Sequence, residues 1–337
     1  MPFLYIGLLI DIIKCQYIKL NKGCVAMIRY YKTIDSKLEK LTSFESGCWI
    51  NLVEPNQSEI HEISELLNLD VDSINAALDE EERSRIEVED NHTLILIDIP
   101  IDESDASSSH YSTIPLGIIM LDDAILTVCT AQTKILNDFI VGHIRDFYTY
   151  MKTRFILQIL YKNATYYLLY LRRINKMTTV IEREIYNSMQ NKELIQLLEL
   201  EKSLVYFSTS LKAIELVLNK MVRTPSIKRY EEDEDLLEDV IVENRQALEM
   251  ATIYGDILSR IMDAFSAIIS NNQNTVMQFL TVVTLIMAIP TIVSGFFGMN
   301  VPGIPFENNP NGFWITLLIT CIICLIITLF MSRKKLL

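Results

Sequence analysis

The sequence predicts an α+β protein: a mixed α/β domain, then a long helical stalk, then two membrane-spanning helices at the C-terminus. Three observations predict it. Strand and helix signals interleave up to about residue 132, helical periodicity alone follows, and two long apolar runs close the chain. Composition agrees. The chain is 50% hydrophobic yet 22% charged, which excludes a disordered chain, a collagen-like repeat and a wholly membrane-embedded protein. With 43 acidic against 30 basic residues, it lacks the cationic surface that a general nucleic-acid binder needs. Its 6 scattered cysteines are too few for a disulfide scaffold.

Residues 1–26 form a leader of uncertain status. Met1 to Ile10 is apolar, but Asp11 interrupts it, and it lacks a basic region at its N-terminal end. It is too short to span a bilayer. We expect translation to start at Met27 and the leader to be an extension.

Residues 27–132 carry the α/β domain. Cys48–Val53 reads as a strand. Ser58–Leu67 reads as a helix capped by Ser58. Ile86–Val88 and Thr93–Ile99 read as a hairpin around Asp90-Asn91, and Ile114–Met120 with Ala124–Cys129 as another around Asp122-Asp123. Asp102 to Ser112 reads as an exposed loop.

Residues 133–275 are the stalk. Between Pro225 and Pro290 no proline occurs and only Gly255 is a weak breaker. One helix from about Leu236 to Phe297 is therefore permitted, roughly 90 Å long. Leu237, Val240, Ala247, Ala251, Tyr254, Leu258, Ile261, Phe265 and Ile268 recur at spacings of three and four, which suits a coiled coil or a packed helical bundle.

From Ala264 to Phe306 there is no Asp, Glu, Lys or Arg. The spans are residues 276–297 and 313–331, each near the roughly 20 residues that cross a bilayer core. The loop 298–312 carries only Glu307, whereas the tail 332–337 carries Arg333, Lys334 and Lys335. Basic flanks stay inside, so both termini are expected in the cytoplasm and the loop outside, in a multi-pass protein of the cell membrane. The Asn-x-Ser/Thr matches at Asn56, Asn91 and Asn163 are then chance.

Chemistry is sparse. No phosphate loop, zinc-protease motif or nucleophile elbow occurs, so no enzyme is expected. His61, His92, His110 and His143 are dispersed. Cys321 and Cys324 have metal-ligand spacing but lie mid-span without partner ligands, and read as small-residue packing. The first span is more informative. Asn274, Met277, Thr281, Thr284, Ala288, Thr291, Gly295 and Gly298 form a stripe that is small or polar apart from Met277, flanked by bulky apolar residues. Such a stripe faces protein or water rather than lipid. It fits close helix packing, or an aqueous pore ringed by several copies, since two spans cannot enclose a pathway alone.

The stripe ends at Gly298-Met299-Asn300, after Phe296-Phe297. Together with two terminal spans, an acidic outer loop, a basic tail, the proline-free helix and the α/β domain, this triplet resembles the CorA family of divalent-cation channels, over about Met27 to Leu337. The family usually has Tyr where this chain has Phe297. The resemblance implies a funnel-shaped homopentamer in the lipid bilayer that transports Mg2+, often also Co2+ or Ni2+. It implies an Asn300 amide ring around a still-hydrated ion, whose water donates to amide oxygens, and a hydrophobic constriction at Met277 and Leu280. Gly298 would let the backbone turn. Met299, Gly295, Thr291, Ala288, Thr284 and Asn274 would complete the pathway, with Ala288 where some relatives carry a bulkier residue. Glu307 would attract cations outside and Asp263 would sit near the inner exit. The resemblance further implies regulatory Mg2+ between subunits, at Asp239, in the acidic run Glu231–Glu243 with Glu238, and Asp102 or Glu103 of the neighbour. The competing readings are a Zn2+ transporter of the same fold and a membrane-anchored coiled-coil scaffold.

Overall fold

The computed structural model describes residues 28–103, 110–188, 191–224, 231–299, 303–305 and 310–333. The expected leader lies outside the described residues, as do residues 104–109 of the expected loop. The chain divides into two units, Met1–Ser259 and Arg260–Leu337.

The first unit is built on a seven-stranded sheet in the order β2-β1-β3-β7-β6-β5-β4. Its strands are β1 (Ile28–Ile34), β2 (Lys37–Leu41), β3 (Cys48–Val53), β4 (Arg85–Val88), β5 (His92–Asp102), β6 (Tyr111–Leu121) and β7 (Ala124–Cys129). Every neighbouring pair is antiparallel except β3 with β7. That parallel pair needs a crossover, and the intervening helices and strands supply it. Both expected hairpins are present. The β1–β2 hairpin escapes sequence reading because its turn is Asp35-Ser36, both left-handed (φ 46 and 59), without the glycine that normally marks such turns.

On one face lie α1 (Gln57–Leu67), α2 (Val71–Asn75) and a 3-10 turn, Ala76–Leu78. Ile60, Ile63, Ile74 and Ala77 pack there on Cys48, Ile50, Leu52, Leu94, Leu96, Leu126 and Val128. The alternate residues of the same strands face the other way, where Trp49 meets Tyr31, Phe139, Phe147 and Phe155 at centroid distances of 5.0, 6.4, 6.1 and 5.1 Å. Its indole N–H donates to Thr127 Oγ1 at 2.8 Å. Burial on both faces explains why β3 and β7 are apolar except at Asn51 and Thr127, which hydrogen-bond to each other.

Two expectations are corrected. The cap of α1 is Asn56, not Ser58. Asn56 Oδ1 accepts from the Ser58 and Glu59 N–H groups at 2.9 and 3.0 Å, and Glu59 Oε2 accepts from Asn56 N–H. Only the extended residue before the first helical one can aim its side chain at those donors, and Ser58 is already inside the helix. The loop from Asp102 to Ser112 is shorter than expected, because Asp102 pairs with Tyr111 and Ile101 with Ser112 in the β5–β6 ladder.

The second face is covered by α3 (Lys134–Ile140), α4 (Lys152–Ser188) and α5 (Asn191–Arg223). Buried polar groups register these helices on the sheet. Asn163 Nδ2 and Tyr167 Oη both donate to the Asp98 carbonyl, and Ser203 Oγ accepts from Tyr111 N–H. The long helix α6 (Glu231–Phe297) is continuous, as the missing prolines allow, and carries Pro290 inside it. In the first unit it packs on α4 and α5: Arg154 Nε lies 2.8 Å from Asp233 Oδ1, and Asn244 Nδ2 donates to Leu211 O. Leu237, Val240, Ala247 and Ala251 are buried there, so this part of the stripe belongs to a bundle within the chain. The second unit contains the end of α6 and α7 (Gly312–Arg333).

Candidate functional site

Both α6 and α7 contain stretches long and apolar enough to cross a membrane. Within the second unit, one face of α6 packs on α7. Val282 is buried, and Val283, Ile286, Ile289 and Val293 are half-buried. Pro290 has no N–H to give the Ile286 carbonyl four residues back. Cys324 Sγ of α7 lies 3.9 Å from that oxygen, so the thiol answers the acceptor that the proline frees. Among the described residues, no three His, Cys, Asp or Glu side chains gather to hold a metal ion.

The small and polar stripe lies elsewhere on the helix. Thr284 and Thr291 are two positions from Ile286 and Val293, about 200° around the axis. Thr281, Thr284, Thr291 and Gly295 are exposed, and a Cβ on Gly295 would meet nothing within 4 Å among the described residues. Met277 and Leu280 are 62% and 57% exposed. Ala288 is half-buried, and Asn274 and Asp263 are exposed. Apart from Ala288, the stripe is thus open and turned from the chain's own last helix.

Its chemistry is directional. Thr281, Thr284 and Thr291 donate their hydroxyl protons to the carbonyls of Met277, Leu280 and Met287 at 2.7, 2.8 and 3.1 Å. Each hydroxyl proton is thereby used, and the oxygen keeps acceptor lone pairs. Acceptors suit the water shell of a cation, which can only donate.

The helix ends at the expected triplet. Gly298 N–H donates to Ser294 O at 2.9 Å and Met299 N–H to Phe296 O at 3.3 Å. Gly298 follows the last helical residue in a turn, with a backbone that is not left-handed, and a Cβ there would sit 3.2 Å from Ser294 O. Asn300 and Glu307 lie outside the described residues, as does most of the basic tail.

The candidate regulatory carboxylates are not gathered within one chain. Glu238 and Asp239 are exposed on α6. Asp102 ends β5, with Arg173 Nη1 at 3.2 Å from its Oδ2. Glu103 Oε2 lies 3.8 Å from His110 Nε2, a contact that attracts only a protonated imidazole. The acidic run is not uniformly solvated, because Asp233 is 1% exposed and paired with Arg154. Sequence reading missed Arg173 and Asp98, and missed that Asp233 of the acidic run is buried against Arg154. For Asp98 a signal existed: it is a lone carboxylate inside the apolar run Leu94–Ile101.

Comparison with known proteins places these features in context. The sequence model of a family described as CorA-like Mg2+ transporter protein matches residues 44–334. The cobalt/magnesium transport protein CorA of Methanocaldococcus jannaschii is 27% identical over 326 residues, covering 92% of this chain and 98% of that protein. The protein of the same name from Thermotoga maritima is 22% identical over 324 residues, covering 91% and 88%. The complete structure of the M. jannaschii CorA magnesium transporter superposes with a TM-score of 0.79 at 25% identity, covering 92% of this chain and 99% of that one.

Proposed function

The chain belongs to the CorA family of divalent-cation transporters, and from that premise we propose that it is a homopentameric Mg2+ channel whose pore is lined by the polar stripe of α6. The observation that carries this reading is the stripe itself, open and acceptor-rich, on the face turned from α7. A membrane helix leaves such a face unburied only if other copies or water cover it. Five copies around one axis do both.

In this reading a hydrated Mg2+ is drawn by Glu307 and greeted by a ring of Asn300 amides. It passes Gly295, Thr291, Ala288 and Thr284, and is gated at Leu280 and Met277 by dewetting. Asn274 and Asp263 line the way out, and Gly298 and Met299 shape the mouth. An inside-negative potential drives uptake with about 4.6 kcal/mol per doubly charged ion and 100 mV. Both termini are cytoplasmic, in the cell membrane. Cytosolic Mg2+ closes the ring by bridging Asp239, with Glu238 beside it, to Asp102 or Glu103 of a neighbour. These ligands are oxygens, as Mg2+ requires, and emptying the site restores repulsion between subunits.

The test is Mg2+ entry into liposomes under a potassium diffusion potential, for wild type and Asn300→Ala. Wild-type flux that the substitution abolishes, with Co2+ competing, is the expected result. Flux that survives Asn300→Ala, or a monomer in both detergent and lipid, would overturn the proposal. Zn2+ entry without Mg2+ entry in the same liposomes would move the chain to the zinc reading.

A further inference from the structure

We propose that Arg173 is a tethered counter-cation of Asp102, which the regulatory Mg2+ must displace, and that it thereby sets the Mg2+ concentration at which the channel closes. This rests on the regulatory reading above, in which Asp102 is a ligand. Arg173 Nη1 lies 3.2 Å from Asp102 Oδ2. The guanidinium is also held from below, its Cζ being 5.5 Å from the ring centroid of Tyr170, one helical turn earlier on α4. Tyr170 is itself fixed. It is buried, lies 5.2 Å from the Tyr111 ring, and its hydroxyl accepts from Lys134 Nζ at 3.3 Å. Tyr111 is the ladder partner of Asp102. The carboxylate and the platform that positions its counter-cation are therefore parts of one rigid corner, where β5 and β6 meet α4.

A cation thus already occupies an oxygen that the regulatory metal needs. A guanidinium is a permanent cation, so the competition is constant. It is 48% exposed while Asp102 is 20% exposed, so the long side chain can swing its head into water without unpacking the corner. Half-exposed pairs of this kind are weak, and Arg173 therefore tunes the threshold instead of locking it. The other candidate ligand, Glu103, has a histidine against it among the described residues, and an imidazole is not a permanent cation, so the permanent competitor shown is the one at Asp102.

The test titrates Mg2+ against limited proteolysis of the full chain in lipid nanodiscs, for wild type, Arg173→Gln, Arg173→Lys and Asp102→Asn. The half-protecting concentration is read, not the cleavage rate at zero Mg2+, so lost stability does not imitate the effect. We expect Arg173→Gln to lower that concentration by up to about five-fold, the range open to an exposed ion pair. Arg173→Lys should restore the wild-type value within about two-fold by keeping the charge. Asp102→Asn should abolish the response to Arg173→Gln. An unchanged or higher concentration in Arg173→Gln, with Asp102→Asn impaired, overturns the inference and leaves the regulatory reading standing. A wild-type Mg2+ response in Asp102→Asn overturns the inference and leaves Glu103 as the neighbour's ligand in the regulatory reading.

Discussion

Cys324 Sγ lies 3.9 Å from the Ile286 carbonyl, the one that Pro290 leaves without its helical donor. A thiol is a weak donor, but in hydrocarbon no water is available to replace it. Cys324→Ser keeps a donor and should leave the thermal midpoint in detergent nearly unchanged. Cys324→Val removes it at similar volume and should cost about 0.5–1 kcal/mol. Equal midpoints for the two variants would show that the contact is only packing.

Ser210 Oγ donates to Asp98 Oδ2 at 2.6 Å, joining α5 to β5. Burial pushes the Asp98 carboxyl above its ordinary value, opposed in part by hydrogen bonds from Ser210 and Ser84. The folded state therefore holds this proton more tightly than the unfolded chain does. Its stabilisation is complete below the ordinary carboxylate pKa and is lost as pH rises through the raised one. Asp98→Asn should remove that loss and flatten the acid-side stability profile, followed by thermal unfolding across pH. An unaltered profile would mean the carboxyl is solvated in the folded chain.

The acidic run on α6 should divide by burial. Asp233→Ala strips a buried partner from Arg154, which is itself only 17% exposed, and should cost about 3 kcal/mol in denaturant unfolding. Asp239 is exposed, so Asp239→Ala should change stability by less than about 0.5 kcal/mol. Under the proposed function, the same substitution should weaken the protection that Mg2+ gives against proteolysis.

Gly117 on β6 faces Ala77 of the 3-10 turn so closely that an added Cβ would overlap the Ala77 Cβ. Gly117→Ala should destabilise by about 1–3 kcal/mol, the usual cost of overpacking. Ala77→Gly in the same chain should recover part of it, which a double-mutant cycle measures.

Gly295→Ala is the complementary case. Among the described residues of a single chain nothing lies within 4 Å of the new methyl, so folding should be unaffected. If the stripe lines the pore, five methyl groups enter it together and Mg2+ flux into liposomes should fall several-fold. Full flux would place Gly295 away from the pathway.

Hydrophobicity and backbone chemistry made much of this protein legible in its sequence. An uncharged run from Ala264 to Phe306, no proline between Pro225 and Pro290, and acidic turns between apolar runs are local facts, and each dictates a local structure. They yielded the long helix, the two spans and two hairpins, and the Gly-Met-Asn triplet carried the family. Local rules failed where a neighbour along the chain decided the outcome, as when Asn56 took the cap from Ser58. They were silent where the partner is distant. Whether Asp233 meets water or Arg154, whether Asp102 is free or paired with Arg173, and which face of α6 rests on α7 depend on groups up to 79 positions apart. Those pairings are chosen by packing, and only the folded chain brings such residues within reach of one another.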